Sequence, residues 1–451
     1  MVTRIFVVGL AVFTGAASAG AEEVQRYDLP ACIQAALRNG PDLSTAAADL
    51  AAARARLSEA DAGRYGEAEY RQLLGLVNEA KGNVIFSPNN KNDVLQGLGP
   101  FTKIDIAVRI PVWTFGKLES ALRAAQEGLE SEVAHGDARR AEVVLNVKQL
   151  YYGLLLSRQL SAILHDMLDT LGKAVRKTQE RLDAGSTSVT ELDLLKLKAG
   201  RARFQKGVVQ VDGSIELTRS ALARAIGLPS DEGFDIADQR LQPSDVALAP
   251  LDVYLQQGPA RRPEVKQLAT GVAAQEAKVD LEAAGYYPNL FLATGFQYAV
   301  AGNRTEQTNP FVYDDFNYIR PVFVFGVQWD LNIFMTRAKL DEARADLQRL
   351  QAQQRDAASG MQLEIRKAYT EVVQARDTMR ATEEGRKAAR AMLVLTVANF
   401  DLGIGEADEL FTGLGTYTET STDYLRAVHD YNVAIAGLSK AVGEELTTLQ
   451  Y

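Results

Sequence analysis

Cys32 is the chain's one cysteine among 451 residues. A disulfide within the chain is impossible, and a zinc site built from several thiolates is excluded. The three histidines, His135, His165 and His429, lie far apart on segments that read as helix. Six methionines form no thioether-rich track for a soft metal. A basic excess is missing too. The formal net charge is −9, so the basic face that a nucleic-acid partner requires is not available. No Ser/His/Asp set, phosphate-binding loop or metal cluster marks an enzyme, and no cofactor is expected. Beyond the N-terminus, no stretch approaches the roughly 20 apolar residues of a membrane helix. If such a chain crosses a bilayer, it does so with strands closed into a barrel.

What is present begins with a leader. Arg4 precedes the apolar run 5–13, and small residues fill 16–21. That order is the one of a secretory signal peptide, and the run is about half the length of a bilayer span. Residues 1–21 are therefore read as a leader, cut after Ala19 or Ala21. No cysteine stands there to carry a lipid anchor. The composition of the remainder, 47% hydrophobic and 24% charged, is that of a folded protein.

The chain repeats itself at a period near half its length. Leu118-Glu119-Ser120-Ala121 answers Leu340-Asp341-Glu342-Ala343, Tyr151 answers Tyr369, and Leu182-Asp183-Ala184-Gly185 answers Phe400-Asp401-Leu402-Gly403. Glu191-Leu192 answers Glu409-Leu410, and the segment 222–227 answers 438–443. Order and spacing are both kept, which is the mark of a duplication. A four-residue difference between Leu118 and Tyr151 is about one helical turn, the size of a coiled-coil stutter. The expected division is a leader at 1–21, a first repeat at 22–229, a linker at 230–250 and a second repeat at 251–451.

Each repeat reads as an Ala-rich helix (29–62 and 251–284), two strands, and a very long helix (116–184 and 336–402). Each long helix breaks at Gly185 or Gly403, and a helix of about 40 residues returns. Leu164, Leu168, Leu171, Val175, Thr178 and Leu182 alternate steps of four and three, a coiled-coil seam. Roughly 70 residues at 1.5 Å each reach about 100 Å. The strands alternate. Ile104, Ile106, Val108 and Ile110 form one face of 103–112; Leu290, Leu292, Phe296 and Tyr298 do so in the second copy. Phe323, Phe325, Val327, Trp329 and Leu331 form another such face. An apolar face opposite a polar one suits either a barrel in lipid or a half-buried soluble sheet. Residues 67–77 read as strand or helix. Four strands cannot enclose a lumen, so the strands of several chains must be pooled. Polar loops at 78–100 and 299–320 would cap the barrel, with Trp113 and Trp329 near the opposite strand ends.

With these motifs in hand, the chain resembles the TolC-like outer-membrane efflux family over nearly its whole mature length. Arg262-Pro263-Glu264, Tyr287-Pro288-Asn289-Leu290, and Gly403 followed by Glu409-Leu410 carry the resemblance. It implies a mainly α fold with a membrane β-barrel: a homotrimer with four strands per chain in a twelve-stranded barrel above a periplasmic coiled-coil tunnel. The linker and the C-terminal tail would form a small mixed equatorial region. It implies an exit duct of a tripartite efflux or type I secretion system, with a periplasmic adaptor and an inner-membrane pump or ABC exporter as partners. The acids after the second tip, Glu406, Asp408 and Glu409, would form a constriction. Leu182, Gly185, Val189 and Leu192 in one copy, and Phe400, Gly403 and Leu410 in the other, would meet the adaptor. The rival expectation is an envelope coiled-coil spacer without transport. Two departures stand out: Gly66 occupies the place of Pro288, and the turn 334–337 lacks the glycine that the first copy has at Gly116.

Overall fold

The structure, a computed structural model, describes residues 25–79, 97–186, 189–228, 233–304 and 314–447. The expected leader lies outside these residues, as do Ser188 at the first tip and large parts of both polar loops. The elements run β1 (Gln25–Tyr27), α1 (Leu29–Asn39), α2 (Pro41–Ala62), β2 (Glu67–Val77), β3 (Gly99–Trp113), α3 (Lys117–Asp183) and α4 (Glu191–Ala225). After β4 (Phe234–Ile236) the order recurs as α5 (Leu251–Arg261), α6 (Pro263–Ala284), β5 (Asn289–Ala301), β6 (Tyr318–Gln328), α7 (Ile333–Leu402) and α8 (Ala407–Val442).

The Ala-rich helices expected over 29–62 and 251–284 are each two helices. Gly40 and Arg262 sit at the breaks with extended backbone, ψ 133° and 128°. Each precedes a proline, whose ring clashes with an α conformation in the residue before it. The prolines then serve as first residues of α2 and α6, where a missing N–H costs nothing. By contrast, α3 runs unbroken for 67 residues and α7 for 70. The four-residue difference between the copies is absorbed within the helix. The seam packs as its spacing requires: Leu171 and Thr178 are buried, and Leu164, Leu168 and Val175 lean on the same cluster.

The strands form one antiparallel sheet in the order β2-β3-β5-β6. Residues 67–77, ambiguous in sequence, are strand, every residue paired with β3. The two repeats join at β3–β5, leaving β2 and β6 as the sheet's edges. Cross-strand partners share a face. The register therefore gathers Tyr70, Ile106, Phe296 and Pro321 in one row, and Ala68, Val108, Thr294 and Phe323 in the next. That face is apolar and open, with Phe323 78% and Leu74 76% exposed. A half-buried soluble sheet would cover such a face; a barrel turns it to lipid. The other face carries Glu67, Glu69, Arg71, Lys103, Asp105, Arg109 and Arg320.

Aromatics mark the junction of sheet and helices. Phe115 stacks on Tyr287 at 5.5 Å and meets the edge of Trp113 at 6.1 Å. Trp329 donates its indole N–H to the Tyr286 carbonyl at 3.0 Å. Lys117 reaches under them to the Tyr287 carbonyl at 2.7 Å and Asn289 Oδ1 at 2.8 Å. Amphipathic rings of this kind suit a water–lipid boundary.

Midway along the hairpins lies the equatorial region. β1 pairs in parallel with β4, and Phe234, Ile236 and Leu241 join Cys32, Ile33, Tyr151 and Leu154 in one buried cluster. A second cluster, around Ile365, Val372, Tyr431 and Leu438, is its counterpart in the other repeat. The tail after α8 docks here: Glu445 accepts from the buried Lys148 at 2.5 Å, and Leu446 donates to Ser439 Oγ at 3.2 Å. The tail therefore docks on α3 and α8, and β1 had no signal in the sequence.

Candidate functional site at the hairpin tips

The far ends of the two hairpins form a third cluster. Met167, Leu171, Ala174, Leu197 and Phe204 of the first hairpin enclose Phe400, Ala407, Leu410 and Leu414 of the second. Burying side chains of this size contributes roughly 1.5–3 kcal/mol each. The tips are thus held as one four-helix unit.

Both turns depend on glycine. Gly185 (φ 73°) and Gly403 (φ 82°) adopt the left-handed conformation that ends a helix, which a side chain disfavours. Ser186 N–H then returns to the Arg181 carbonyl at 3.0 Å, and Ile404 N–H to Asn399 at 3.0 Å. The restarts differ. Thr190 and Asp193 form a reciprocal capping box: Asp193 N–H donates to Thr190 Oγ1 at 3.2 Å, and Thr190 N–H to Asp193 Oδ2 at 3.0 Å. The Thr190 hydroxyl, also donating, holds the Asp193 carboxyl below its ordinary value. At the second tip Glu406 occupies the capping position without a side-chain hydrogen bond.

The candidate acids separate on this geometry. Glu406, Asp408 and Glu409 are all exposed at the start of α8, Glu406 as its N-cap and the other two in its first turn, where carboxylates also suit the helix dipole. Asp408 accepts from Lys196 Nζ of α4 at 2.8 Å, which raises the lysine above its usual pKa. Two further ties cross between the hairpins. Lys177 donates to the Asp401 carbonyl at 2.6 Å, and Arg181 to the Phe400 carbonyl at 3.3 Å. These three basic residues were not singled out by the sequence, because their partners lie more than 200 positions away.

The candidate docking residues also divide. Phe400 and Leu410 are buried in the tip cluster and shape it from within. Leu182 and Val189 are half-buried, Gly185 is exposed, and Gly403 is partly covered beneath Arg181. Leu192 is exposed, as are Leu195, Leu402 and Ile404 close by. Those last three were missed; their signal was apolar residues flanking a glycine turn.

Among the described residues, one Ser-His-Asp grouping occurs on α3 and α4. Ser161 Oγ donates to Asp212 at 2.8 Å and lies 3.2 Å from His165 Nδ1, a nitrogen that is also 2.9 Å from the Ser161 carbonyl. The aspartate holds the serine and not the imidazole, so the geometry is not that of a nucleophile activated by an oriented base. Among the described residues, no group of three or more His, Cys, Asp or Glu is placed to hold a metal.

A four-stranded sheet with an open apolar face, set on paired helices about 100 Å long, defines an outer-membrane channel subunit. The chain belongs to the outer membrane efflux protein family, which it matches over residues 101–228 and 254–444. It is similar to Protein CyaE of Bordetella pertussis, with 23% identity over 93% of this chain and 84% of that one. Its fold resembles the outer membrane protein VceC of Vibrio cholerae (TM-score 0.71, 18% identity, 93% of this chain and 96% of that one). It also resembles the CmeC outer membrane channel of Campylobacter jejuni (TM-score 0.73, 15% identity, 99% and 96%). The protein is an exit duct of the outer membrane with a TolC-like fold, and its hairpins extend into the periplasm.

Proposed function

We propose that three copies of this chain close one twelve-stranded barrel and one helical tunnel, forming a passive exit duct for a tripartite efflux or type I secretion system. The observation that carries this is the sheet itself: among the described residues it has four strands, two edges that pair with no further strand, and one open apolar face. Four strands are too few to surround a lumen, and open edges are not stable in a bilayer. Transport through such a duct needs a pore, a closure and docking surfaces, and no catalytic group.

In this reading the tips face the inner membrane. Glu406 and Glu409 of three chains form the acidic constriction, and Asp408 is partly neutralised by Lys196. A periplasmic adaptor grips the exposed apolar rim of Leu192, Leu195, Leu402 and Ile404 around Gly185, Val189 and Gly403. Phe400, Leu410 and Leu182 set the shape of that rim from beneath. An inner-membrane pump or ABC exporter supplies the cargo. The repeat boundaries expected from the sequence then correspond to two quasi-equivalent sixths of the duct.

The test is twofold. Outer-membrane fractions should contain a heat-modifiable trimer, and absence from that fraction would return the chain to the role of a spacer. In planar bilayers, the combined Glu406→Gln, Asp408→Asn and Glu409→Gln trimer should lose cation selectivity; unchanged selectivity rules the constriction out.

A further inference from the structure

The polar face of the sheet is graded in charge along the barrel axis. The register sets Arg71, Asp105, Gln297 and Arg320 in one row across all four strands. One row outward stand Leu73, Lys103, Ala299 and Tyr318. Inward come Glu69, Ala107, Gly295 and Val322, then Glu67, Arg109, Ala293 and Val324. Outward is fixed by chain direction, since β3 leaves at Trp113 into α3. The outer two rows thus hold three bases against Asp105, and the inner two hold two acids against Arg109.

Side-chain contacts reinforce the grading. Lys103 and Arg320 both lie over the Tyr318 ring, at 5.7 and 4.2 Å from its centre. The ring holds both on the polar face, where Asp105 and Asp315 also act on Lys103. Arg71 pairs with Glu69 at 2.5 Å, but both are well exposed, so that pair is weak. Arg109 lies over the Phe291 ring at 4.8 Å and donates to Gln328 at 3.3 Å.

We propose that the outer double row, Arg71, Lys103 and Arg320, is an anion-favouring filter in the barrel lumen, opposite in sign to the acids of the second tip. The proposal rests on the trimeric barrel, which turns this face inward and repeats the rows three times. A lumen with low-dielectric walls focuses such a field. Anionic solutes, carboxylates and phosphates among them, are concentrated at the outward end. Cationic solutes outside the cell are held back from the lumen.

Thiol labelling tests this on the full-length trimer in outer-membrane vesicles at low salt. Cys32 is a silent background: it is buried, and burial first, then Asp28 and Asp238, push its thiol up to about 12. Gln297→Cys reports the outer rows and Ala293→Cys the inner ones, without removing a charge. Each is treated with a sulfonate-bearing or a trimethylammonium-bearing methanethiosulfonate. The protein thiolate attacks the reagent's divalent sulfur, the mixed disulfide forms and methanesulfinate leaves. Because the ratio of the two rates is read, any change in thiol acidity cancels.

At Gln297→Cys the anionic reagent should win by roughly 5-fold over its ratio at a free thiol, as a potential of a few kT requires. Ala293→Cys should show no such preference. Adding Arg71→Gln and Arg320→Gln should erase it, as should high salt on the single variant, which needs no further substitution. Equal normalised rates at Gln297→Cys, or the same ratio at both positions, overturn the proposal. Phe323→Cys on the apolar face should label slowly with both reagents. If it labels as fast as Gln297→Cys, the barrel reading itself fails, which is a separate outcome.

Discussion

In the first repeat, Lys148 of α3 is buried, with its ammonium against Glu445 of the C-terminal tail at 2.5 Å. The corresponding residue of the second repeat, Arg366 on α7, is exposed. Three residues on, Tyr151 is fully buried while Tyr369 is half-buried. Yet the apolar positions between the copies agree: Val147 and Ile365, Leu222 and Leu438, and Ile226 and Val442 are all buried. The repeats keep their cores and diverge where elements connect. Gly40 faces Arg262, which is buried against Glu264 and Glu364. Gly66 faces Pro288. The first sheet-to-helix turn uses positive φ at Phe115 and Gly116, whereas Asn332 starts α7 at φ −83°. The first tip is capped and the second is not. A duplicated module can thus keep one packing pattern and still acquire two different ends.

The largest expected consequence lies at Lys148. Lys148→Met removes the buried ammonium from a carboxylate that Thr447 still holds, and breaking such a pair should lower unfolding stability by about 3 kcal/mol. Arg366→Met should stay within about 0.5 kcal/mol, as exposed substitutions do. Denaturant titration of the two variants measures both, and equal losses would break the comparison.

Next in size is Gly66. Its φ is 78°, and an added Cβ would lie 2.0 Å from the Arg109 carbonyl oxygen. Gly66→Ala should cost about 2–3 kcal/mol from backbone strain and overlap. Pro288→Ala, which loses only a constraint on the unfolded chain, should cost less than about 1 kcal/mol. Thermal unfolding of the two variants compares them.

Smaller effects belong to the tips. Thr190→Ala removes a cap worth about 1 kcal/mol, so amide exchange at Asp193 should quicken about 5-fold. Glu406→Ala removes no capping bond and should leave exchange at Leu410 nearly unchanged. The smallest effect is on pH. Asp193 is depressed in the folded state, so its contribution is complete above the ordinary carboxylate pKa of about 3.9 and disappears as pH falls through the depressed value. Acidification through that value should therefore loosen the start of α4, and Thr190→Ala should remove this pH dependence. An unchanged pH profile in Thr190→Ala would mean that the capping box does not hold the carboxylate.

Much of this architecture could be read from residue order alone. The seam of 164–182 announces its helix because period and burial coincide; the alternation of 103–112 and 290–298 announces strands by period alone, and the strand expected over 322–331 runs Tyr318–Gln328 instead, leaving Trp329 and Leu331 beyond its end. Strand β2 was ambiguous because Leu73 and Leu74 stand adjacent and blur its alternation; its pairing with β3 decides it. The breaks at Gly40 and Arg262 were legible as Gly-Pro and Arg-Pro, but the Ala-rich periodicity on both sides masked them. The glycines of the tips were visible. The ties from Lys177, Arg181 and Lys196 were not, because they span two hairpins that only folding brings together. For the same reason, exposure could not separate Leu192 from Phe400 and Leu410.

The central claim is that one chain supplies a third of a closed barrel. Native mass spectrometry of the protein extracted from outer membranes tests it most directly. The account predicts particles of three chains that give one chain each only after heating. Particles of one or two chains, stable under the same extraction, would contradict it.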